Sequence, residues 1–250
     1  MGALTGKTAL VTGGSRGIGR AVAERLGRDG AQVAVHYNSN EKAAEETVAA
    51  IEAAGGEAFA IRTELGVPGD AAALWAAFDT HADGLDILVN NVGIDGIRES
   101  IAGTDEAAFD RVFAVNAKAP FFVTRLGLDR LRGGGRIINI STGLTHGAHM
   151  PQLIAYTMSK AAIDSFTSVL AKDVGARGIT VNAVAPGVID TDMNASWLRN
   201  AETEATVAAW SPLDRVGQPA DVADVVGFLA SDDARWVTGQ WIDATGGALL

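Results

Sequence analysis

The chain has 250 residues, 48% of them hydrophobic, and carries 20 basic against 30 acidic side chains, for a formal charge of −10 and a pI of about 4.8. That length suits one α/β domain able to bury roughly 70–75% of its unfolded surface, and the acidic balance argues against nucleic-acid binding, which needs a basic stripe. Zero cysteines exclude disulfides and thiolate metal sites, the histidines (His36, His81, His146, His149) make no metal-ligand pattern, and no apolar run approaches the ~18–20 residues of a membrane span.

The residues from Met1 to Lys7 lead straight into an apolar strand predicted over 7–12, with no stretch that reads as a signal peptide, so a cytoplasmic protein is expected. The glycine-rich turn Thr12-Gly13-Gly14-Ser15-Arg16-Gly17-Ile18-Gly19 follows. A helix over 18–29 comes next, where Ile18, Val22 and Leu26 recur at helical spacing. Strand, turn and helix in that order aim backbone N–H groups and a helix N-terminus at a pyrophosphate. The spacing is GxxxGxG rather than the more familiar GxGxxG. Gly13, Ser15, Arg16, Gly17, Ile18 and Gly19 are the candidate contacts. The second strand, 32–36, runs on into Tyr37-Asn38-Ser39-Asn40 with no acid before Glu41. An acid there would bind a ribose 2′-hydroxyl and repel a 2′-phosphate. Asn38, Ser39 and the Arg16 guanidinium suit the phosphate instead, so NADP(H) is the expected cofactor.

A helix over 41–54 ends at Gly55-Gly56, a strand over 58–62 runs to Glu64 and Leu65, and Pro68 opens a helix over 68–80. A strand over 85–90 leads to Asn90-Asn91-Val92-Gly93. One long helix is predicted over 104–131, stopped by Gly133-Gly134-Gly135; Arg125, Arg130 and Arg132 near its end read as solvated. The strand over 136–140 delivers Ser141 and Thr142, whose side chains alternation points in opposite directions. A helix over 155–174, a strand over 180–185, the turn Pro186-Gly187, a helix over 219–230 and a strand over 240–243 complete the chain. The stretch Asp190 to Pro212 commits to neither strand nor helix. With Met193, Trp197, Leu198, Val207 and Trp210 it reads as a lid over a substrate, or else as part of a subunit interface. Alternating strands and helices imply one doubly wound, Rossmann-type α/β domain over 1–250, a parallel sheet with helices on both faces and ligands at the strands' carboxyl ends.

Tyr156 and Lys160 stand four residues apart and so share a helical face. A free phenol titrates near pH ~10; a cation about 5 Å away at an effective dielectric of about 20 favours the phenolate by roughly 3 kcal/mol, or ~2 pKa units. A tyrosine tuned in this way gives a proton to a carbonyl oxygen or takes one from an alcohol.

Together these motifs resemble the short-chain dehydrogenase/reductase family, nearly end to end. TGGSRGIG matches its cofactor turn, with Arg16 where relatives set a basic residue against the 2′-phosphate. Asn90-Asn91-Val92-Gly93 matches its NNAG element, with valine for alanine. Asn116 falls on its mid-helix asparagine, Arg136-Ile137-Ile138-Asn139-Ile140 on its fifth strand, and Tyr156/Lys160 on its YxxxK pair. Pro186-Gly187-Val188-Ile189-Asp190-Thr191 matches the turn that closes over nicotinamide, and 212–219 and 243–247 complete the pattern. The resemblance implies that Asn91, Gly93, Pro186, Gly187, Ile189 and Thr191 also contact cofactor, with Glu64 standing where an aspartate usually holds adenine and Leu65 beside it. It implies that Lys160 holds the nicotinamide ribose and lowers the Tyr156 pKa, and that Asn116 anchors a water linking Lys160 to solvent. The hydroxyl that polarises the substrate carbonyl is Thr142 by counting from the strand and Gly143 by counting back from the tyrosine. A one-residue insertion reconciles the counts on Thr142, with Ser141 the alternative.

The function expected is NADPH-dependent reduction of a ketone, a bulky apolar or secondary-metabolite compound, by a homotetramer that binds neither nucleic acid nor membrane. Two alternatives stand beside it. One is reduction of a β-ketoacyl thioester on an acyl carrier; the other is a dinucleotide-sensing regulator or scaffold, in which the tyrosine–lysine pair would be expected to be lost. The loop His146-Gly147-Ala148-His149-Met150-Pro151-Gln152 favours the first function, with His146 and His149 candidates for substrate oxygens. Arg98 reads as a solvated loop residue.

Overall fold

The computed structural model describes residues 2–147 and 150–250, so His149 lies outside the described residues. Seven strands, β1 (Thr8–Val11), β2 (Gln32–Tyr37), β3 (Glu57–Arg62), β4 (Leu85–Asn90), β5 (Leu131–Ile140), β6 (Thr180–Pro186) and β7 (Trp241–Ala244), form one sheet. Their order is β3-β2-β1-β4-β5-β6-β7, and every neighbouring pair is parallel. The order reverses between β1 and β4, which opens a crevice at their carboxyl ends. β1, β4 and β6 are buried along their whole length, the reason they read as unbroken apolar runs.

Helices α1 (Gly17–Arg28), α2 (Glu41–Ala53) and α9 (Pro219–Ala230) cover one face, where Val22, Leu26, Ile51, Val226 and Leu229 meet the strands. Helices α3 (Asp70–Phe78), α5 (Ala119–Gly127) and α6 (Ile154–Val174) cover the other, with Leu74, Trp75, Phe78, Val123 and Leu170 in its core. Each such side chain contributes about 1.5–3 kcal/mol by leaving water.

Two expectations need correction. The helix predicted over 104–131 is α4 (Glu106–Phe113), a π turn (Ala114–Lys118) and α5 in succession. The chain leaves helix at Gly127, and the three glycines lie inside β5, where the pairing with β4 jumps from Leu85↔Leu131 to Ile87↔Arg136. The glycines make a bulge rather than a helix stop. The stretch 190–212 also holds more structure than predicted. It contains α7 (Ala195–Leu198) and α8 (Ala201–Ala208), the latter capped by Asn200, whose side-chain oxygen accepts from Glu202 and Thr203 N–H groups. These helices bury a small separate cluster, Leu198, Val207 and Val216. Their base is pinned to β-type pairing at Ile189↔Gly217.

Candidate active site

The glycine turn occupies the crevice at the carboxyl ends of β1 and β4, and its shape is imposed by side chains from three strands. Thr12 Oγ1 donates to the Val89 carbonyl and accepts from Asn91 and Val92 N–H. Asn91 Nδ2 donates to the Thr12 and Gly13 carbonyls. Asn91 therefore holds the turn in place. A Cβ on Gly19 would fall 2.0 Å from the Gly13 carbonyl oxygen, so only glycine lets α1 start this close to the turn. Gly13 itself has φ +66°, which glycine adopts freely. The turn, the start of α1 and the acid-free end of β2 form a cradle that fits a dinucleotide carrying a 2′-phosphate.

His36, which no motif in the sequence singles out, completes that cradle. It is buried in β2, accepts from Gly13 N–H at Nδ1 (2.9 Å) and donates from Nε2 to the Thr63 carbonyl (2.8 Å). Both contacts need the neutral ring, and burial lowers its pKa to about 4. A lone histidine in an apolar strand was the only signal available. Around the rim, Asn38 and Ser39 are exposed, with the Asn38 carbonyl accepting from Arg62. Glu64 is half exposed and 3.5 Å from Arg111, and Leu65 is buried beside it. Arg16 stands 3.7 Å from Asp192 across the crevice, both largely exposed. Such a pair is worth little, so Arg16 can be drawn to a stronger anion. Ser15 and Ile189 are buried, Ile18, Pro186, Gly187 and Thr191 border the same edge, and a side chain on Gly17 would meet Thr191.

At the foot of the crevice β5, α4–α5 and α6 converge. The Thr142 hydroxyl lies beside the Tyr156 phenol and favours the phenolate, yet burial outweighs it and raises the Tyr156 pKa to about 12. The expected lowering by Lys160 is not found. Its Nζ donates to the Ile140 carbonyl (2.7 Å) and lies 6.0 Å from the tyrosine ring centroid. Burial lowers the Lys160 pKa to about 8. The phenol thus stays protonated through the neutral range. Ser141 faces elsewhere, as strand alternation requires: its hydroxyl and the Thr145 hydroxyl lie beside Asp164, whose carboxyl is raised by burial. Neither Ser141 Oγ nor the Asp164 oxygens has a well-aligned partner.

Asn116 sits in the π turn, fully buried. Its amide accepts from Ile94 N–H and donates to the Ile94 carbonyl and to Ser159 Oγ, which in turn donates to the Tyr156 carbonyl. The π turn makes room for this clamp between the β4 loop and α6. A Cβ on Gly93 would stand 3.2 Å from Lys160 Nζ and 3.5 Å from Asn116 Oδ1, so the bare glycine leaves a space that touches both.

Above Tyr156 the walls are less tightly held. Arg98 is an exposed loop residue, as read from the sequence, yet its Nε and Nη2 contact Asp95 at 3.1 Å and its guanidinium lies 5.7 Å from the Trp197 ring centroid. A bridge between Glu99 and Leu153 ties this segment to the start of α6. His146 packs edge-on against Trp241, with ring centroids 3.9 Å apart. Among the described residues no group of three His, Cys, Asp or Glu is placed to hold a metal, and no helix is long and apolar enough to cross a membrane.

The family model described as enoyl-(acyl carrier protein) reductase matches residues 13–248. Versicolorin reductase 1 of Aspergillus parasiticus is 46% identical over 255 residues, covering 98% of this chain and 97% of that one. Among solved structures, the reductase LugOII, described as catalysing keto-reduction at C1 during lugdunomycin biosynthesis, is 50% identical with a TM-score of 0.92 over 99% of this chain and 100% of that one. The angucycline C-6 ketoreductase LanV, solved with NADP bound, is 48% identical with a TM-score of 0.93 over 99% and 97%.

Proposed function

The chain belongs to the short-chain dehydrogenase/reductase family, and from that premise we propose how its residues reduce a bulky polycyclic ketone of secondary metabolism. The protein is an NADP-dependent oxidoreductase that converts a ketone to a secondary alcohol. The single observation that carries the residue assignment is the meeting of the Thr142 hydroxyl, the Tyr156 phenol and buried Lys160 at the foot of the crevice. NADPH, when bound, supplies the hydride to the carbonyl carbon.

Gly13, Ser15, Gly17, Ile18 and Gly19 would hold its pyrophosphate, and Arg16, Asn38 and Ser39 its 2′-phosphate. Glu64 and Leu65 would lie by the adenine, and Asn91, Gly93, Pro186, Gly187, Ile189 and Thr191 along the nicotinamide half. Tyr156 gives its proton to the substrate oxygen as negative charge develops there, and Thr142 donates a hydrogen bond to that oxygen. A phenol held protonated at neutral pH suits proton donation, hence the reductive direction. Lys160 binds the ribose hydroxyls. Asn116 Oδ1, across the Gly93 space from Lys160, anchors the water that resupplies it.

The stretch 190–212 acts as the lid. Trp197 faces the Arg98 wall, and exposed Met193 and Trp210 leave apolar surface for a ring system. The acyl-carrier alternative fares worse on a specific count. An acidic carrier needs free cations, yet Arg130 is bonded to Asp79 (2.5 and 2.6 Å) and Arg132 to Asp86 (2.7 Å), at the amino edge of the sheet away from the crevice. A homotetramer in the cytoplasm belongs to the same proposal. Support comes from apolar side chains left in water on α5 and α6 (Phe121, Phe122, Met158, Val169) and near the C-terminal end (Phe228, Trp236, Leu250). Turnover of bicyclic ketones against short keto acids and β-ketoacyl thioesters with NADPH tests the substrate reading; highest kcat/KM for a thioester or small keto acid would overturn it. Sedimentation of a single-chain species at micromolar concentration would overturn the tetramer.

A further inference from the structure

Where the 95–99 loop meets the lid, two hydrogen-bond donors have no acceptor among the described residues: one on Arg98, open to solvent, and one on Trp197, buried. Arg98 spends Nε and Nη2 on Asp95 and lays its plane near the Trp197 ring, but among the described residues its Nη1 has no hydrogen-bond partner. Trp197 Nε1 is buried and likewise has none. A buried indole N–H without an acceptor costs about 1–3 kcal/mol, and it is carried here by α7, inside the lid. The two donors adjoin, one charged and one neutral, on segments that differ in sequence by about 100 residues. Both Asp95 and Arg98 lie close enough to Tyr156 to act on its charge, the first raising and the second lowering its pKa. Arg98 therefore stands within electrostatic reach of Tyr156, and Trp197 lies against it.

Only an acceptor satisfies such a pair, and a guanidinium selects one with negative charge or strong polarisation. A decalone-type ketone has a single oxygen, which Tyr156 and Thr142 take. A ketone that shares its ring system with a phenol offers a second, acidic oxygen at a distance set by the rings. Asp95 serves as the resident counter-ion. It keeps the cation in place in the free enzyme, and the partly exposed pair costs little to loosen.

We propose that Arg98 and the Trp197 indole N–H bind a second, phenolic oxygen of the substrate, so that the enzyme selects hydroxyaryl ketones over ring ketones that lack the hydroxyl. This rests on the ketone-reductase reading above. A substrate seated there is also clamped by α7, which couples lid closure to the presence of that oxygen.

The test compares 1-tetralone with its 5-, 6- and 8-hydroxy forms under NADPH, in wild type, Arg98→Gln, Arg98→Lys and Trp197→Phe. Wild type should favour at least one hydroxy form in kcat/KM by roughly tenfold or more, the size of one charge-assisted hydrogen bond. Arg98→Gln should abolish that preference, read as the ratio of kcat/KM for hydroxylated over plain 1-tetralone, Arg98→Lys should keep part of it, and Trp197→Phe should weaken it with the ring retained. Calorimetry of 1-naphthol and 2-naphthol binding to the enzyme–NADP⁺ complex reads the same site without turnover, and Arg98→Gln should weaken the tighter of the two by a similar factor. Equal losses on plain and hydroxylated ketones, or naphthol binding indifferent to Arg98, overturn the assignment. If no ring ketone is reduced by wild type, the ketone reading itself fails, and the naphthol measurement still decides whether Arg98 binds a phenol.

Discussion

The two sides of the crevice are built on opposite plans. On the cofactor side, polar groups are matched within the protein: Thr12 and Asn91 bind the turn from β4, and His36 bridges it to β3. Behind them lies a large core that includes Val22, Leu26 and Val226. On the substrate side, the buried Trp197 N–H lacks a partner among the described residues, and the segment 190–212 rests on a small cluster of Leu198, Val207 and Val216. A site that must fit one invariant cofactor gains from being preformed, because no ordering cost is left for binding. The segment 190–212, proposed as a lid, is drawn from the weakly packed end of the molecule.

The contrast can be broken first at the junction of the two sides. Tyr156→Phe should lower kcat by at least the ~10²–10⁴ attributed to general acid catalysis while leaving NADPH affinity near wild type, since the ring still fills its place. A variant keeping more than a tenth of wild-type kcat would remove Tyr156 from the role. Next, Thr142→Val should lower kcat by about 10²–10³, as for loss of one donor to a developing oxyanion. Ser141→Ala, facing Asp164, should be mild. The reverse ranking would move the donor to Ser141.

Packing should separate the sides in stability. Leu26→Ala in α1, fully buried, should cost about 2–5 kcal/mol, visible as a lower urea midpoint. Leu198→Ala in α7 should leave the global midpoint almost unmoved and raise KM for the ketone. Equal midpoint shifts would mean that the lid unfolds with the body.

His36 offers a pH test of the preformed side. Its pKa of about 4 when folded lies below the ordinary 6.5, so as pH falls the unfolded chain takes up the proton first. The stability that neutral His36 contributes is complete above about pH 6.5 and is lost between there and about pH 4, by up to roughly 3 kcal/mol. Melting curves across that window should slope less in His36→Gln than in wild type; parallel slopes would show that the ring is not held neutral. The smallest effect is expected at the rim, where Arg16→Ala should raise KM for NADPH by about tenfold and leave that for NADH nearly unchanged. Equal shifts for both cofactors would mean that Arg16 does not read the phosphate.

Much of the cofactor side is legible in the chain because its signals are local. The turn, the apolar strand before it, the helix after it and the acid-free end of β2 occupy consecutive residues, and each constrains backbone or charge within a few positions. The strand alternation that separates Thr142 from Ser141 is local as well, and their surroundings follow it. Other features escaped. The π turn at Asn116 looks like ordinary helix until Ile94 and Ser159 arrive to claim its amide. The glycines 133–135 read as a helix stop because their pairing with β4 is not written near them.

The sequence by itself determined the alternation of strands and helices, the place of the glycine turn and the helical face that Tyr156 and Lys160 share, since each rests on periodicity or on spacing within one element. Tertiary structure alone decided the charge state and company of those groups. Tyr156 and Lys160 share a helical face, as four-residue spacing demands, yet burial moves their pKa values to about 12 and about 8, and Lys160 turns to the Ile140 carbonyl. Arg98 and Trp197, distant in the chain, meet only because α7 folds over the crevice. Desolvation and long-range contact depend on what the rest of the chain places around a residue, and no spacing within one element encodes that.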